Sequence, residues 1–423
     1  MSTPSRSARL HPLRTATALG AALAAFGGRA FAQGAAFQTP GMPSSAAAGP
    51  SAPVGASQSS RFDSSFNPAF SFVVDAVADW RDTENTTSDG IDMHLRVLEI
   101  GAQAWVDPNA WAYFVGAADE ETVNIEEAAV HYTGLGGNST LRAGRFFIDF
   151  GKQMQVHVHE LRTLERPLVL RAYLGEEVKG DGLQWDDWTA AGDSTVVRWS
   201  FGAFRSLLPE AEDVDPTTAA GISVADRKDV EDLNFTARVT GFSDVGEHGV
   251  LQLGASARWI PNYTLAFEPS GDERTGLDST VFGFDATYGW ANDTGTSKWT
   301  FGGELLFDTG DIGSSITDVG ADSDPTNDTI AVVDGTRTGW FAFADYAWSP
   351  QYSAGLQYSA IELPVDGGGD AREIEAYVTR QFSEFHRLRL AVSNFETDDG
   401  DDEQRVALQY SAIVGAHGHG INW

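Results

Sequence analysis

The chain has 423 residues and a formal charge of -32, from 60 acidic against 28 basic side chains. That balance excludes a nucleic-acid protein, because phosphate backbones demand clustered Lys and Arg. Cysteine is absent, which excludes disulfides, thiolate catalysis and Cys-based zinc sites. Beyond Leu23 no run of about 18 apolar residues would halt the chain in an inner membrane.

Arg6, Arg9 and Arg14 make a positive start, an apolar stretch runs from Thr15 to Gly27, and Ala30-Phe31-Ala32 offers a small-x-small cut before Gln33. Residues 1–32 are therefore expected to be a secretory signal peptide. Residues 33–60 carry Pro40, Pro43, Pro50 and Pro53 among Ala, Ser and Gly, with no charge before Arg61, and are expected to be a flexible periplasmic leader. The remainder, 61–423, is expected to be one β-barrel.

From Asn67 onward the period is two. Phe235, Ala237, Val239 and Gly241 alternate with Asn234, Thr236, Arg238 and Thr240; Phe282, Phe284, Ala286, Tyr288 and Trp290 alternate with Gly283, Asp285, Thr287 and Gly289. A strand places these two sets on opposite faces. Strands are predicted at 67–80, 91–106, 110–119, 122–134, 139–151, 182–191, 195–207, 234–244, 249–260, 277–291, 296–308, 337–348, 351–363, 371–383, 386–397 and 403–415, sixteen in all. Strands containing Met93 to Val106, Val123 to Tyr132 and Leu141 to Gly151 change phase midway, which predicts bulges.

A soluble sandwich and an outer-membrane barrel both explain such alternation. Four features favour the barrel. Tight links (Asp107 to Asn109, Gly134 to Asn138, Ala191 to Ser194, Asp244 to His248, Ala291 to Ser297, Ser349-Pro350, Ser383 to Phe385) alternate with long ones (Lys152 to Asp181, Pro209 to Asp232, Pro261 to Gly276, Asp308 to Thr336). Asp119 to Glu121 is a short link where a long one is due. Trp111, Trp290, Trp299, Trp348, Tyr352 and Phe382 flank tight turns, as an interfacial girdle would. The chain ends on Trp423, with Ile421 two residues earlier. Finally, the strand count is even, and about 16 strands leave a water-filled bore. The expected fold is all-β: a transmembrane antiparallel barrel of about 16 strands with an inward-folded third outer loop.

Leu95-Arg96-Val97-Leu98-Glu99, Val123-Asn124-Ile125-Glu126-Glu127-Ala128 and Leu141-Arg142-Ala143-Gly144-Arg145-Phe146-Phe147-Ile148-Asp149-Phe150-Gly151-Lys152 resemble the phosphate-selective porin (O/P-type) family of Gram-negative outer membranes. So do His157-Val158-His159-Glu160, Glu165-Arg166-Pro167, Tyr173-Leu174-Gly175-Glu176-Glu177 and Gly180-Asp181-Gly182-Leu183. The similarity covers roughly a quarter of the chain; elsewhere it is confined to strand rhythm and the terminal aromatic. It implies a sixteen-stranded, usually trimeric porin with a constricting third loop. Members that prefer phosphate carry basic ladders, whereas this chain is acidic overall.

The third outer loop would be Lys152 to Gly180. A loop of about 30 residues is usually functional or disordered, and Leu161, Leu164, Leu168, Val169, Leu170 and Tyr173 argue for packing. Its basic residues, Lys152, Arg162, Arg166, Arg171 and Lys179, outnumber Glu160, Glu165, Glu176 and Glu177. On the polar strand face, Arg142, Arg198, Arg238 and Arg258 form an expected basic wall, and Asp285, Glu304, Asp345, Glu373 and Glu375 an acidic one. Together they would set up a transverse field that orients dipolar or anionic solutes; the plainer alternative is ordinary cross-strand pairing.

His157 and His159, with Glu160, have metal-ligand spacing if locally extended, and His417 and His419 repeat it; the spacing is unspecific, so hydrogen-bonded histidine is expected and no metal or other cofactor is assigned. Acidic stretches Asp322 to Asp328 and Asp398 to Glu403 would sit at the outer rim, as a solvated fringe or as divalent-cation bridges to lipopolysaccharide. There is no Gly-x-Ser-x-Gly, and no histidine whose spacing nominates a base for a barrel hydrolase. A plugged receptor would need about 22 strands. The expected function is passive diffusion of small hydrophilic, anion-leaning solutes by a homotrimer in outer-membrane lipid, with no nucleic-acid partner; a structural or adhesin-type barrel without an open pore is the alternative.

Overall fold

The computed structural model describes residues 69–415 apart from 84–87, 120–121, 208–221, 225–229, 268, 318, 320–325, 364–368, 384, 399 and 401. The expected signal peptide and leader, His417, His419, Ile421, Trp423, and Asp322 and Asp324 of the acidic stretch lie outside those residues.

In β1 (Ala69–Thr83), Ser71, Asp75 and Asp79 are buried while Phe70, Phe72 and Trp80 are exposed, 63% for Phe70 against 0% for Asp75. A soluble sheet buries its apolar face. Here the charged face is enclosed and the aromatic face lies outside, which suits hydrocarbon rather than water.

The other strands are β2 (Gly90–Asp107), β3 (Ala110–Ala118), β4 (Val123–Tyr132), β5 (Thr140–Phe147), β6 (Lys179–Ala190), β7 (Thr195–Phe204), β8 (Ile222–Val224) and β9 (Asn234–Val245). After them come β10 (Gly249–Phe267), β11 (Asp272–Ala291), β12 (Lys298–Thr317), β13 (Thr329–Ser349), β14 (Tyr352–Glu362), β15 (Asp370–Ser383), β16 (His386–Thr397) and β17 (Asp402–Gly415). Consecutive strands pair antiparallel, except that β7 pairs directly with β9 while β8 adds three residues alongside β10. β17 returns to β1 in unbroken register from Ser71 opposite Gly415 to Thr83 opposite Glu403. Sixteen strands thus close a ring with one extra strand attached, and closure removes the unpaired edges that hydrocarbon cannot satisfy.

All the predicted strands are present, but two expected long loops are not. β10 continues through Pro261 to Phe267 and meets β11 at Asp272; the register skips from Ile260 to Tyr263, so the proline, which has no N–H to give, sits in an irregularity. β12 and β13 likewise extend to Thr317 and from Thr329, shifting register between Asp311 and Gly313. Proline and glycine, read as loop signals, mark bulges within long strands. Trp111 also departs from expectation: it is 4% exposed and stacks on His131, rings 4.2 Å apart, instead of joining an outer girdle.

Two of the three phase changes are bulges, at Arg96 in β2 and Glu126 in β4, each skipped by its partner strand. The extra residue re-aims its side chain, so Glu126 and Glu127, adjacent in sequence, are both buried. The third has a different cause: β5 pairs without a shift and ends at Phe147, and residues 148–151 are not strand.

Candidate functional site

The segment 148–178 links β5 to β6. Val158–Glu160 forms a 3-10 turn, and Leu168–Leu174 forms the helix α1, entered after Pro167 and left at Gly175, whose φ of 91 suits glycine. Leu161, Leu164, Leu168, Val169, Leu170 and Tyr173 are all buried, in keeping with a packed segment. Those of α1 join Ile148, Phe150 and Met154 in a cluster with Phe204, Ile260, Leu306, Phe341 and Ile361 from strands of the ring.

The start of the segment is held by Glu304 of β12. Its Oε1 accepts backbone N–H bonds from Lys152 (2.7 Å) and Gln153 (3.0 Å). Gly151 makes this approach possible: its φ is +56, and a Cβ there would collide with the Glu304 carboxylate. Lys152 Nζ donates to Gln252 Oε1 at 2.8 Å. Burial, reinforced by the nearby Arg238 charge, pushes the Lys152 ammonium down to about 7. Asp149 accepts from Arg198 (2.5 Å) and Ser200 (2.5 Å). Burial would raise its carboxyl, but Arg198 and Arg238 outweigh that and hold it below the ordinary range.

The middle is gripped by arginines to which the sequence reading assigned no role. Arg96 donates to the carbonyls of Leu164 and Val158; Arg389 donates to Thr163 O (2.6 Å) and Leu161 O (2.5 Å); Arg387 donates to the His159 carbonyl. Arg405 pairs with Glu165 at 2.8 Å. All four belong to β2, β16 and β17, where alternation with apolar neighbours such as Leu388 and Val406 was the available signal. Arg171 bonds Glu373 through both carboxylate oxygens (2.6 and 2.7 Å), and Glu375 accepts the Leu164 N–H at 2.7 Å.

At the far end of the segment Arg166 reaches Gln153 O (2.6 Å) and Glu177 (3.1 Å), and Glu177 meets Lys179 at 3.0 Å. Burial raises the Glu177 carboxyl, yet Lys179 and Arg166 prevail and bring it to about 2. Glu176 is raised by burial and by Glu165 and Glu177. Lys179 itself is the first residue of β6, not part of the loop.

Arg142, Arg198, Arg238 and Arg258, expected to form a basic wall, are all buried, and their partners differ. Arg238 grips Asp285 with two bonds (2.7 and 3.1 Å), and Arg198 bonds both Asp149 and Asp186. Arg142 lies over the Phe146 ring at 3.9 Å, and Arg258 donates to Ser279 Oγ at 3.0 Å; among the described residues neither has a carboxylate at ion-pair distance. Of the acidic set, Asp285, Glu304, Asp345 and Glu375 are buried, while Glu373 is half-buried. Asp345 accepts the Tyr377 hydroxyl at 2.9 Å.

His157 and His159 do sit together, with Glu99 as their shared partner: 3.5 Å from His157 Nδ1 and 2.8 Å from His159 Nδ1. Glu160 contributes no ligand atom to this group, because Val158–Glu160 is a 3-10 turn and not extended. Burial disfavours charge on His157, but Glu126 and Glu99 outweigh it and push the imidazole well above its ordinary pKa.

No protein-family model matches the chain, and no curated protein sequence matches it. Solved structures do. The outer membrane channel DcaP of Acinetobacter baumannii superposes with a TM-score of 0.52 at 13% identity, covering 82% of this chain and 96% of that one. An anion-selective porin from Comamonas acidovorans gives 0.51 at 11%, over 82% and 99%. The trimer form of OmpT, an outer membrane protein of Vibrio cholerae, gives 0.51 at 8%, over 82% and 100%. At these identities the likeness is one of architecture: the chain has the closed antiparallel barrel fold of outer-membrane channels and porins.

Proposed function

We propose that the chain is a non-enzymatic outer-membrane porin of the phosphate-selective type, a homotrimer exported by cleavage of residues 1–32, through which small hydrophilic solutes diffuse passively. The observation that carries this reading is the inverted wall: a ring of sixteen strands whose enclosed face holds Asp, Glu, Arg, Gln, Ser and Thr while its outer face presents Phe, Trp, Ile and Leu. Rings of this size leave room for water. The segment 148–178 is the constriction, folded inward. In support of that placement, its residues bond to β2, β15, β16 and β17 on one arc of the ring and to β7, β10 and β12 elsewhere on it. Anions are favoured at the narrowing where Arg142 and Arg258 have, among the described residues, no carboxylate at ion-pair distance, whereas Arg198 and Arg238 are already paired.

A second reading, a structural barrel with no open pore, draws on the near-complete burial of many enclosed side chains, Arg198 and Arg389 among them. Liposome swelling separates the two. Proteoliposomes should swell in small sugars and in phosphate but not in large oligosaccharides; liposomes as tight as protein-free ones in every solute would establish the closed barrel instead.

A further inference from the structure

We propose that Glu99, Glu126, His157 and His159 form a binding site for a borderline divalent cation of the zinc class, at the seam where the segment 148–178 meets β2 and β4. The proposal is independent of whether the barrel conducts.

Three of the donor atoms already lie together, and Glu126 stands within ligand spacing of one of them. Zinc bonds of about 2.0–2.1 Å to nitrogen and oxygen place tetrahedral ligand atoms about 3.4 Å apart. His157 Nδ1 lies 3.5 Å from Glu99 Oε1 and 3.4 Å from Glu126 Oε1. His159 Nδ1 lies 2.8 Å from Glu99 Oε1, a hydrogen bond that must open by a few tenths of an ångström to admit the ion. One donor atom each from Glu99, His157 and His159 falls within 4.8 Å of the others.

An independent feature points the same way. Metal-binding histidines are oriented by a carboxylate on the nitrogen that does not face the ion. Glu127 Oε1 stands 3.1 Å from His157 Nε2, and its other oxygen is fixed by the Tyr113 hydroxyl at 2.7 Å. This arrangement turns Nδ1 toward Glu99 and Glu126. Glu126 Oε2 is buried and has no hydrogen-bond partner among the described residues. Glu126 reaches this position only because of the bulge in β4.

Charge and chemistry name the occupant. Three buried carboxylates, Glu99, Glu126 and Glu127, converge here, with Lys179 approaching Glu126 at 3.7 Å. Two imidazoles with carboxylates suit zinc, cobalt or nickel and disfavour magnesium and calcium, which take oxygen alone. The partly exposed side chains of Lys179 and Glu177 mark the way in. A bound ion would staple the segment to the wall, since two ligands come from each.

The test is titration of the chelator-washed, full-length chain, folded in detergent micelles, with zinc chloride by calorimetry and with cobalt(II) by visible absorption. The expected result is one equivalent of zinc, a tetrahedral cobalt spectrum and no heat with magnesium. His159→Gln and Glu126→Gln should each weaken binding by about tenfold or more, while the double change His417→Gln, His419→Gln leaves it unchanged. Absence of zinc binding to the wild type, equal affinity for magnesium, or wild-type affinity in both His159→Gln and Glu126→Gln would overturn the proposal. A variant that loses its cooperative melt is replaced by the other, and the wild-type titration decides in either case.

Discussion

The two halves of the segment 148–178 are anchored by different chemistry. From Asp149 to Arg166 polar grips add to the apolar burial of Phe150, Met154 and Leu164: Glu304 on backbone N–H groups, arginines of β2 and β16 on carbonyls, and carboxylates of β2 and β4 around His157. From Leu168 to Leu174 the grip is mainly apolar, with Leu168, Val169, Leu170 and Leu174 in contact with inward Phe and Ile side chains of the ring. An apolar anchor gives stability without direction, while hydrogen bonds to specific carbonyls fix where the chain runs. On the proposed reading, the first half sets the path and charge of the narrowing, and the second holds it in place.

The largest expected effect breaks the apolar half. Leu170→Ala removes a fully buried side chain and should cost about 2–5 kcal/mol in denaturant unfolding, with little change in ion selectivity. Next comes Arg389→Met, which strips donors from Leu161 O and Thr163 O and should cost about 1–3 kcal/mol. Hydrogen exchange should rise in the polar half and leave α1 protected; loosening of α1 to the same extent would erase the distinction.

Selectivity sharpens the comparison. The double change Arg142→Gln, Arg258→Gln should move the reversal potential in a salt gradient toward cations. The double change Arg198→Gln, Arg238→Gln, which also removes two charges, should move it less, because Asp149, Asp186 and Asp285 already answer those charges. Equal shifts would mean that pairing does not matter to the permeating ion. The smallest effect is a pH dependence. Lys152 has its ammonium lowered to about 7, so it is charged below that pH and neutral above it. Raising pH through about 7 should shift selectivity modestly toward cations. Since the unfolded lysine stays protonated there, folding stability should rise over the same range. Lys152→Gln should flatten both trends.

Much of the ring was legible. Alternation of period two requires only that one face differ from the other, and it locates every predicted strand, even where bulges at Arg96 and Glu126 interrupt it. The packed character of the segment was legible too, from its leucines. What escaped has two physical causes. Pro261 and the glycines near Asp308 signal interrupted backbone, and a bulge inside a strand interrupts it as a loop does. The arginines of β16 and β17 look like any enclosed polar residue until the segment 148–178 brings its carbonyls to them. The same applies to Glu99 and Glu126, which lie 58 and 31 positions before His157 and reach it only through ring closure and the β4 bulge.

The central claim is that water, narrowed but not excluded by the segment 148–178, fills the enclosed polar face. Single-channel recording of the purified protein in planar bilayers tests it most directly. Discrete conductance steps that grow in proportion to salt concentration, and that enlarge when residues 155–176 are replaced by a short glycine-serine link, are the predicted result. Bilayers that stay silent with verified, folded protein inserted, or steps whose size ignores that replacement, would contradict it.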